Sequence, residues 1–315
     1  MKKQLPTLAL VLTAMIWGFA FIGVDSALGS GWKPFEILFS RGLVGAVFLS
    51  FFSLKYKWYK NKKTLILGFI CGILTFIPYA LQTIGQASSG VQNSAIFTSL
   101  NIIFIPFIMR VIFRKKLEKK VIIAAIIAFI GTFIITFNES LIANKFNLFI
   151  VLQNIASSLK FSDILLILCG LGFAIQIIFC GYCAKCDNPL SITTIQLFTM
   201  ALISLIFMPL FGQTNIMHSN GWMGVIFVAI FSSAIASVLQ IYAQKKVKPT
   251  TTSIILCQET TIACIASVLI LHDAMNFLEV LGLMLMILAV LIVEIKFSKK
   301  QKVIINQYEK IDASV

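Results

Sequence analysis

The sequence predicts an all-α membrane protein with ten transmembrane helices in two inverted five-helix repeats and both termini in the cytoplasm. The composition, a series of ten apolar segments and a polar pattern that recurs in both halves support this prediction. Of 315 residues, 59% are hydrophobic and 12% are charged, whereas soluble domains average about 25% charged residues. One water-soluble core cannot bury that much apolar surface. The abundance of Leu, Ile, Val and Phe also excludes a disordered chain.

Ten apolar segments follow one another along the chain. An apolar helix of about 20 residues crosses the hydrocarbon layer of a bilayer. The first segment is longer than the apolar core of a signal peptide, which is about 7–15 residues, and no cleavage motif follows it. We therefore expect it to be a retained helix. The segments run approximately over residues 5–25, 34–54, 64–88, 91–113, 121–137, 161–183, 189–211, 221–244, 249–271 and 277–297.

The placement of lysine and arginine predicts the orientation. With a cytoplasmic N-terminus, 21 of these residues fall in inside segments and three, Lys33, Lys145 and Lys160, fall outside. Cytoplasmic connections carry the excess of basic residues in membrane proteins. We therefore predict that both termini are cytoplasmic, in the plasma (inner) membrane. The net charge of +14 then reflects topology and anionic lipid and does not indicate nucleic-acid binding.

The predicted spans divide the chain into four parts. Residues 1–138 form a first five-helix repeat and residues 161–297 form a second. Residues 139–160 form an extracytoplasmic connection, which is short and partly apolar, so a segment on the lipid surface is expected. Residues 298–315 form a basic cytoplasmic tail.

The two halves share a polar pattern. A Leu-Gln-x3-Gln motif occurs at residues 81–86 and again at residues 239–244, an offset of 158. The same offset aligns Thr75 with Ser233 and Tyr79 with Ser237, so each half has a polar stripe along one helical face. With five spans in each repeat, the second repeat enters the membrane inverted. This architecture is typical of transporters with a solute site between the repeats.

Several motifs resemble one family. They are the run Trp17-Gly18-Phe19-Ala20-Phe21, the spacing Pro34-x6-Arg41, the Ser162-Asp163 start of the sixth span, and residues 244–294. On these motifs the chain resembles the EamA branch of the drug/metabolite transporter superfamily. The chain differs at 272–273, where it has His-Asp and the family often has Gly-Glu. The resemblance implies a ten-helix carrier of small organic solutes, often an exporter of amino acids or metabolites, with the fifth and tenth helices peripheral.

Glu259 is the clearest single candidate for a functional residue. It lies within about two residues of the middle of the ninth segment, where a charge costs at least about 2.5 kcal/mol. Desolvation favours a neutral carboxyl group and a nearby cation favours the ionised form. We predict that Glu259 binds the solute and couples transport to protons. The alternative is a neutral, hydrogen-bonded glutamic acid that serves packing.

Arg41 is the second candidate. It lies about 4.5 Å to the outer side of the middle of its span. Its guanidinium group could pair with Glu259 or bind a carboxylate of the solute. Alternatively, it extends towards the outer surface beside Glu36.

Polar and aromatic residues of other spans complete the predicted site. Such side chains in a membrane face protein or water, so they either line the solute path or join helices through hydrogen bonds. Asn101 is the repeat equivalent of Glu259, and Trp17, in mid-span, could stack on a solute or only pack. The terminal glutamines of the stripes, Gln86 and Gln244, suit helix contacts or gating. Together with Glu259 and Arg41, the predicted lining residues are Tyr79, Gln82, Asn101, Trp17 and Gln240.

No motif supports enzyme chemistry or a metal cofactor. The sequence contains no phosphate-binding glycine loop, no HExxH motif and only two histidines. Cys180, Cys183 and Cys186 have a regular spacing, but a structural zinc site needs four ligands. We interpret them as small helix residues, and we predict no cofactor.

The function predicted from the sequence is secondary transport of small organic solutes. The solute would move by alternating access between the repeats, in the direction of export, with protons as the coupling ion. Two alternatives remain at this point: a membrane-embedded enzyme that modifies lipids, and a receptor or scaffold that transports nothing.

Overall fold

The computed structural model describes residues 4–143, 147, 160–215, 218–272 and 275–292. All regular secondary structure within these residues is helical, which confirms the predicted all-α class. Most of the predicted connection 139–160 and the whole tail 298–315 lie outside the described residues.

Among the described residues, the first half contains five α-helices, besides two short 3₁₀ turns at Leu54–Tyr56 and Trp58–Lys60. Glu36 and Asn61 cap two of them: their side chains accept hydrogen bonds from the backbone N–H groups of Lys33 and Lys63, at 2.8 and 3.0 Å. Such caps satisfy donors that have no partner within the helix. The elements are α1 (Leu5–Gly29), α2 (Pro34–Ser53), α3 (Lys62–Thr98), α4 (Asn101–Val111) and α5 (Lys119–Ala143).

Among the described residues, the second half contains five more helices. Asp163 caps the first of them by accepting from the backbone of Lys160, and Asn188 caps the second by accepting from Leu190. The elements are α6 (Phe161–Cys186), α7 (Pro189–Leu210), α8 (Trp222–Gln244), α9 (Pro249–Ile270) and α10 (Phe277–Ile292).

Gly90 divides α3 into two antiparallel arms. Its φ of 75° lies in the region that favours glycine. Gln82 Nε2 donates to Thr98 Oγ1 at 3.3 Å across this break, whereas sixteen residues of straight helix would span about 24 Å. The chain therefore reverses at Gly90, close to the predicted boundary between the third and fourth spans.

The helices of the two halves pack against each other. α2 packs on α7, α3 packs on α6 and α7, and α1 packs on α9. The centre of the fold is therefore an interface between the two halves. Any cavity at this interface is lined by both.

Polar contacts join neighbouring connections at each of the two ends of the helix bundle. At one end Glu118 contacts Lys248 at 3.3 Å, and Thr64 contacts Asp187. At the other end Glu36 contacts His218 at 2.9 Å. Each contact joins two connections that the sequence predicts on the same side of the membrane.

Seven helical stretches of the described residues are long and apolar enough to cross a membrane. Lys62–Val111 is one stretch in this count, although the chain reverses within it. The multi-pass membrane architecture is confirmed. The exact number of spans and the orientation of the termini stay predictions.

Candidate functional site

A central cavity lies between the two halves. Its lining residues come from α1, α2, α3, α4, α6, α8 and α9. Its empty volume is about 440 Å³, and the surrounding side chains crowd it closely. Six of the predicted site residues line it: Trp17, Arg41, Tyr79, Gln82, Asn101 and Glu259.

Arg41 is held inside the protein by partners from both halves. Its Nε donates to Ser233 Oγ at 2.8 Å and its Nη2 donates to Ser232 Oγ at 3.3 Å. Its guanidinium carbon lies 3.9 Å from the centroid of the Tyr79 ring, a cation–π contact. Arg41 is 2% exposed, so it does not extend to the outer surface, and Glu36 binds His218 instead.

Glu259 lies where α9 tightens, near the middle of the helix. The Thr260 N–H bonds to the Cys257 carbonyl three residues back, at 3.1 Å, and Glu259 falls in the first turn of the segment Gln258–Ala266. Among the described residues, the ion pairs do not include one between Arg41 and Glu259. Both side chains nevertheless line the same cavity.

A glycine lets α1 approach this turn. A Cβ atom added at Gly18 would lie 2.8 Å from the carbonyl oxygen of Glu259, closer than real Cβ atoms come. A larger residue would therefore push α1 away from α9. The glycine in the Trp-Gly-Phe run thus has a packing role beside the cavity.

Asn101 repeats the local geometry of Glu259 in the first half. The helix tightens at 99–100, where the Ile102 N–H bonds to the Ser99 carbonyl at 3.0 Å, and α4 begins at Asn101. The side-chain oxygen of Asn101 is buried and has no hydrogen-bond partner among the described residues. It is therefore a free acceptor beside the cavity.

Trp17 and Gln82 contribute to both packing and lining. Trp17 Nε1 donates to the carbonyl of Ser232 at 3.0 Å, which fixes the indole against α8 and leaves part of the ring on the cavity. Gln82 donates to Thr98, as described above. Trp17 therefore joins two helices and Gln82 joins the two arms of α3, and both also line the cavity. The prediction treated packing and lining as alternatives.

Gln240 lies apart from the cavity. It is fully buried, and its Nε2 lies 3.4 Å from Oε1 of Gln176 on α6. The residues that line the cavity do not include it. The structure thus brings Gln82, but not Gln240, to the other predicted site residues.

The last glutamines of the two stripes make matching contacts. Gln86 Nε2 donates to the Phe21 carbonyl of α1 at 2.7 Å, and Gln244 Nε2 donates to the Ile177 carbonyl of α6 at 2.8 Å. In each half the third helix is thereby fixed to the first. These bonds are the helix contacts that the ends of the stripes suggested.

Aromatic and charged residues pack together at one end of the helices. Glu36 accepts from the Asn215 N–H at 3.0 Å as well as contacting His218. Trp32 Nε1 donates to the Asn220 carbonyl at 2.8 Å. This cluster, Trp32, Glu36, Asn215, His218 and Asn220, ties the α1–α2 connection to the α7–α8 connection.

A group of thiols lies away from the cavity. The sulfur of Cys71 lies 3.8 Å from that of Cys180 and 3.6 Å from that of Cys183. The part of the chain that the structure describes contains no group of three or more His, Cys, Asp or Glu residues that could hold a metal ion. Cys186 belongs to the edge of this apolar packing.

Ser232 is the main site residue that the sequence did not indicate. It contacts Arg41 and Trp17 and lines the cavity. The stretch Val228–Ala236 is a π-helix, so the 3.6-residue period that selects Ser233 does not hold there. The only signal in the sequence was that Ser232 directly precedes Ser233 of the polar stripe. π-Helical turns are frequent at functional sites.

Comparisons with known proteins agree on the family and the fold. The model of the EamA-like transporter family matches residues 4–137 and 160–295. A protein of Archaeoglobus fulgidus named "Uncharacterized transporter" is 26% identical over 296 residues, which cover 94% of this chain and 87% of that protein. A crystal structure matches with a TM-score of 0.71 at 11% identity, over 91% of this chain and 96% of the other, and shows the fold alone.

Proposed function

Because the chain belongs to the EamA-like transporter family, we propose that it exports small organic solutes, such as amino acids or other metabolites, as a secondary transporter. The family resemblance predicted from the motifs is confirmed, and the function of a membrane transporter follows from it. The direction, the solute class and the coupling ion are the parts proposed here.

The proposed architecture has ten spans in two inverted five-helix repeats. The protein lies in the plasma (inner) membrane, with both termini in the cytoplasm. The excess of lysine and arginine in the inside segments supports this orientation. The matching contacts of Gln86 and Gln244 support the repeat. Alternating access would then move the two halves about the cavity between them.

The observation that carries the proposed solute class is the pair Arg41 and Glu259. They are opposite in formal charge and line the same buried cavity, yet no ion pair joins them among the described residues. A solute with a carboxylate and an ammonium group would complement both. An arginine fork suits the carboxylate, and the Glu259 carboxylate suits the ammonium group.

Asn101 and Tyr79 would complete the recognition. The free oxygen of Asn101 accepts a hydrogen bond from an amine or hydroxyl donor. The Tyr79 ring holds the guanidinium of Arg41 from the side of α3. The lining side chains crowd the cavity, so this arrangement disfavours a large lipid.

Two other functions fit the observations less well. A lipid-modifying enzyme would need a nucleophile or base positioned beside an entry for lipid, and a receptor would need no buried charged cavity. The family match favours a transporter over both. Turnover of lipid in pure liposomes would favour the enzyme.

Counterflow in proteoliposomes tests the proposal. Vesicles loaded with a mixture of unlabelled amino acids should accumulate a labelled zwitterionic amino acid, and Arg41→Lys vesicles should do so much less. Arg110→Lys, on α4 outside the cavity, is the matched control. Absence of counterflow for every zwitterionic amino acid, with intact protein in the vesicles, would contradict the proposed solute class.

A further inference from the structure

A second, larger cleft opens at one end of the helix bundle, the end at which Glu118 lies. It lies between the α4–α5 connection, the end of α6 and the α8–α9 connection, and its empty volume is about 1580 Å³. We call it the lysine cleft. Seven lysines line it: Lys115, Lys116, Lys120, Lys185, Lys245, Lys246 and Lys248.

The charge of the lysine cleft is poorly balanced. Glu118 is the one carboxylate among its lining residues, and it pairs with Lys120 at 3.4 Å and with Lys248 at 3.3 Å. Burial would raise the pKa of Glu118, but these two lysines hold it below its ordinary value. Lys115, Lys185 and Lys245 are exposed and make no ion pair within the described residues.

An apolar groove continues from the lysine cleft along the outside of the helices. It lies between α4 and α6, has an empty volume of about 1800 Å³ and is lined almost wholly by apolar atoms. Phe113, Ile178 and Tyr182 line both the groove and the lysine cleft. The two form one continuous surface with a charged end and an apolar end.

The dimensions of the groove match one leaflet of a bilayer. Its α4 wall runs from Ile103 to Phe113, which is about 15 Å of helix and half of a hydrocarbon core of about 30 Å. Phe107 and Ile112 are 62% and 67% exposed on this wall. Tyr182 lies at the junction, where a tyrosine can keep its ring in the acyl region and its hydroxyl group at the headgroups.

We propose that this surface is a binding site for one anionic phospholipid, with an acyl chain in the groove and its phosphate in the lysine cleft. A lipid with a net negative headgroup complements the lysines that have no ion pair among the described residues, whereas a zwitterionic lipid would place its own cationic group next to these lysines. The lysines come from both halves: Lys115 and Lys116 precede α5, and Lys245 and Lys246 follow α8. A bound headgroup would therefore contact both halves of the transporter. The proposal does not depend on the solute that the central cavity binds.

Native mass spectrometry of the full chain in neutral detergent tests the proposal. The probes are dioleoyl phosphatidylglycerol and dioleoyl phosphatidylcholine, titrated separately. We expect one phosphatidylglycerol to be retained at least about tenfold more tightly than phosphatidylcholine, because each lysine near a headgroup contributes about 1 kcal/mol. The triple variant Lys185→Gln, Lys245→Gln, Lys246→Gln should lose this preference. Equal retention of the two lipids by the parent protein would overturn the proposal.

A matched control separates this site from general basic charge. The triple variant Lys60→Gln, Lys62→Gln, Lys63→Gln removes the same charge from the end of the α2–α3 connection and the start of α3, outside the lysine cleft. It should keep the preference for phosphatidylglycerol. Equal loss in both triple variants would show that the whole basic face attracts anionic lipid, and would overturn a defined site.

The groove and the headgroup are tested separately. Ile175→Trp fills the groove without changing charge and should weaken retention, whereas Leu202→Trp on α7, where the leucine is 57% exposed, should not. Glycerol phosphate and inorganic phosphate carry the headgroup chemistry without acyl chains. Displacement of the lipid by either at equal concentration would show a site for a soluble anion instead. Thermal unfolding in lipid-free detergent checks that each variant is folded.

Discussion

Asn101 and Glu259 lie 158 residues apart and occupy the same position in the two halves of the protein. Each lies within a helical turn that is closed by a hydrogen bond three residues back, and each lines the central cavity. One half therefore presents an amide, and the other a carboxyl group, at equivalent points. Interrupted helices at a repeat interface are typical of solute sites in transporters.

The first prediction concerns Arg41. Arg41→Lys keeps a positive charge but loses the planar fork that reaches Ser232 and Ser233 and stacks on Tyr79. The loss of one hydrogen bond to a charged group costs about 1.5–3 kcal/mol, so transport should fall at least roughly 10- to 100-fold. Counterflow per folded molecule measures this loss. Unchanged counterflow would show that any buried cation at this position is sufficient.

The helices could be predicted from the sequence, whereas the site could be predicted only in part. The length of an apolar segment and the placement of lysines depend on composition alone, and they indicated the multi-pass fold. Which residues contact Arg41 depends on how the helices pack. The position of Arg41 along its own helix does not determine this. Ser233 belonged to a predicted polar stripe, but its bond to Arg41, and the part played by Ser232, became visible only in the structure.

The sequence predicted that Gln240 lines the cavity as Gln82 does, and helix geometry explains why the structure places Gln240 elsewhere. Aligning Gln240 with Gln82 assumes a regular 3.6-residue helix in both halves. The π-helix Val228–Ala236 changes the angular position of every later residue in α8 relative to this pattern. Gln240 accordingly faces Gln176 on α6.

The two glutamines should therefore behave differently. Gln82→Leu removes a polar group from the cavity and should reduce transport more than expression. Gln240→Leu should reduce stability, because it removes the neighbour of the Gln176 amide and leaves a buried polar group unpaired, which costs about 1–3 kcal/mol. Transport and thermal unfolding of both variants distinguish the two effects. Equal loss of transport at unchanged stability would contradict this difference.

The third prediction concerns orientation. Ser219 and Lys60 are exposed at opposite ends of the helices, and the lysine distribution assigns Ser219 to the outside. In a background with Cys186→Ser, a cysteine at Ser219 should react with an impermeant maleimide added to intact cells. A cysteine at Lys60 should react only after the cells are opened. The reverse pattern would invert the topology.

The last prediction assigns proton coupling to Glu259. Its carboxyl group lies in the cavity between the two halves, and alternating access would change its exposure to water and its distance from the solute. Both changes alter the balance between its neutral and ionised forms, so the group can load a proton on one side and release it on the other. Glu259→Gln resembles the protonated state and should keep some exchange of solute but lose acceleration by an imposed pH gradient. Glu259→Ala should also bind the solute more weakly, and Gln258→Ala, at the neighbouring residue outside the cavity lining, is the control. Acceleration by the pH gradient that persists in Glu259→Gln proteoliposomes would leave Glu259 a structural residue.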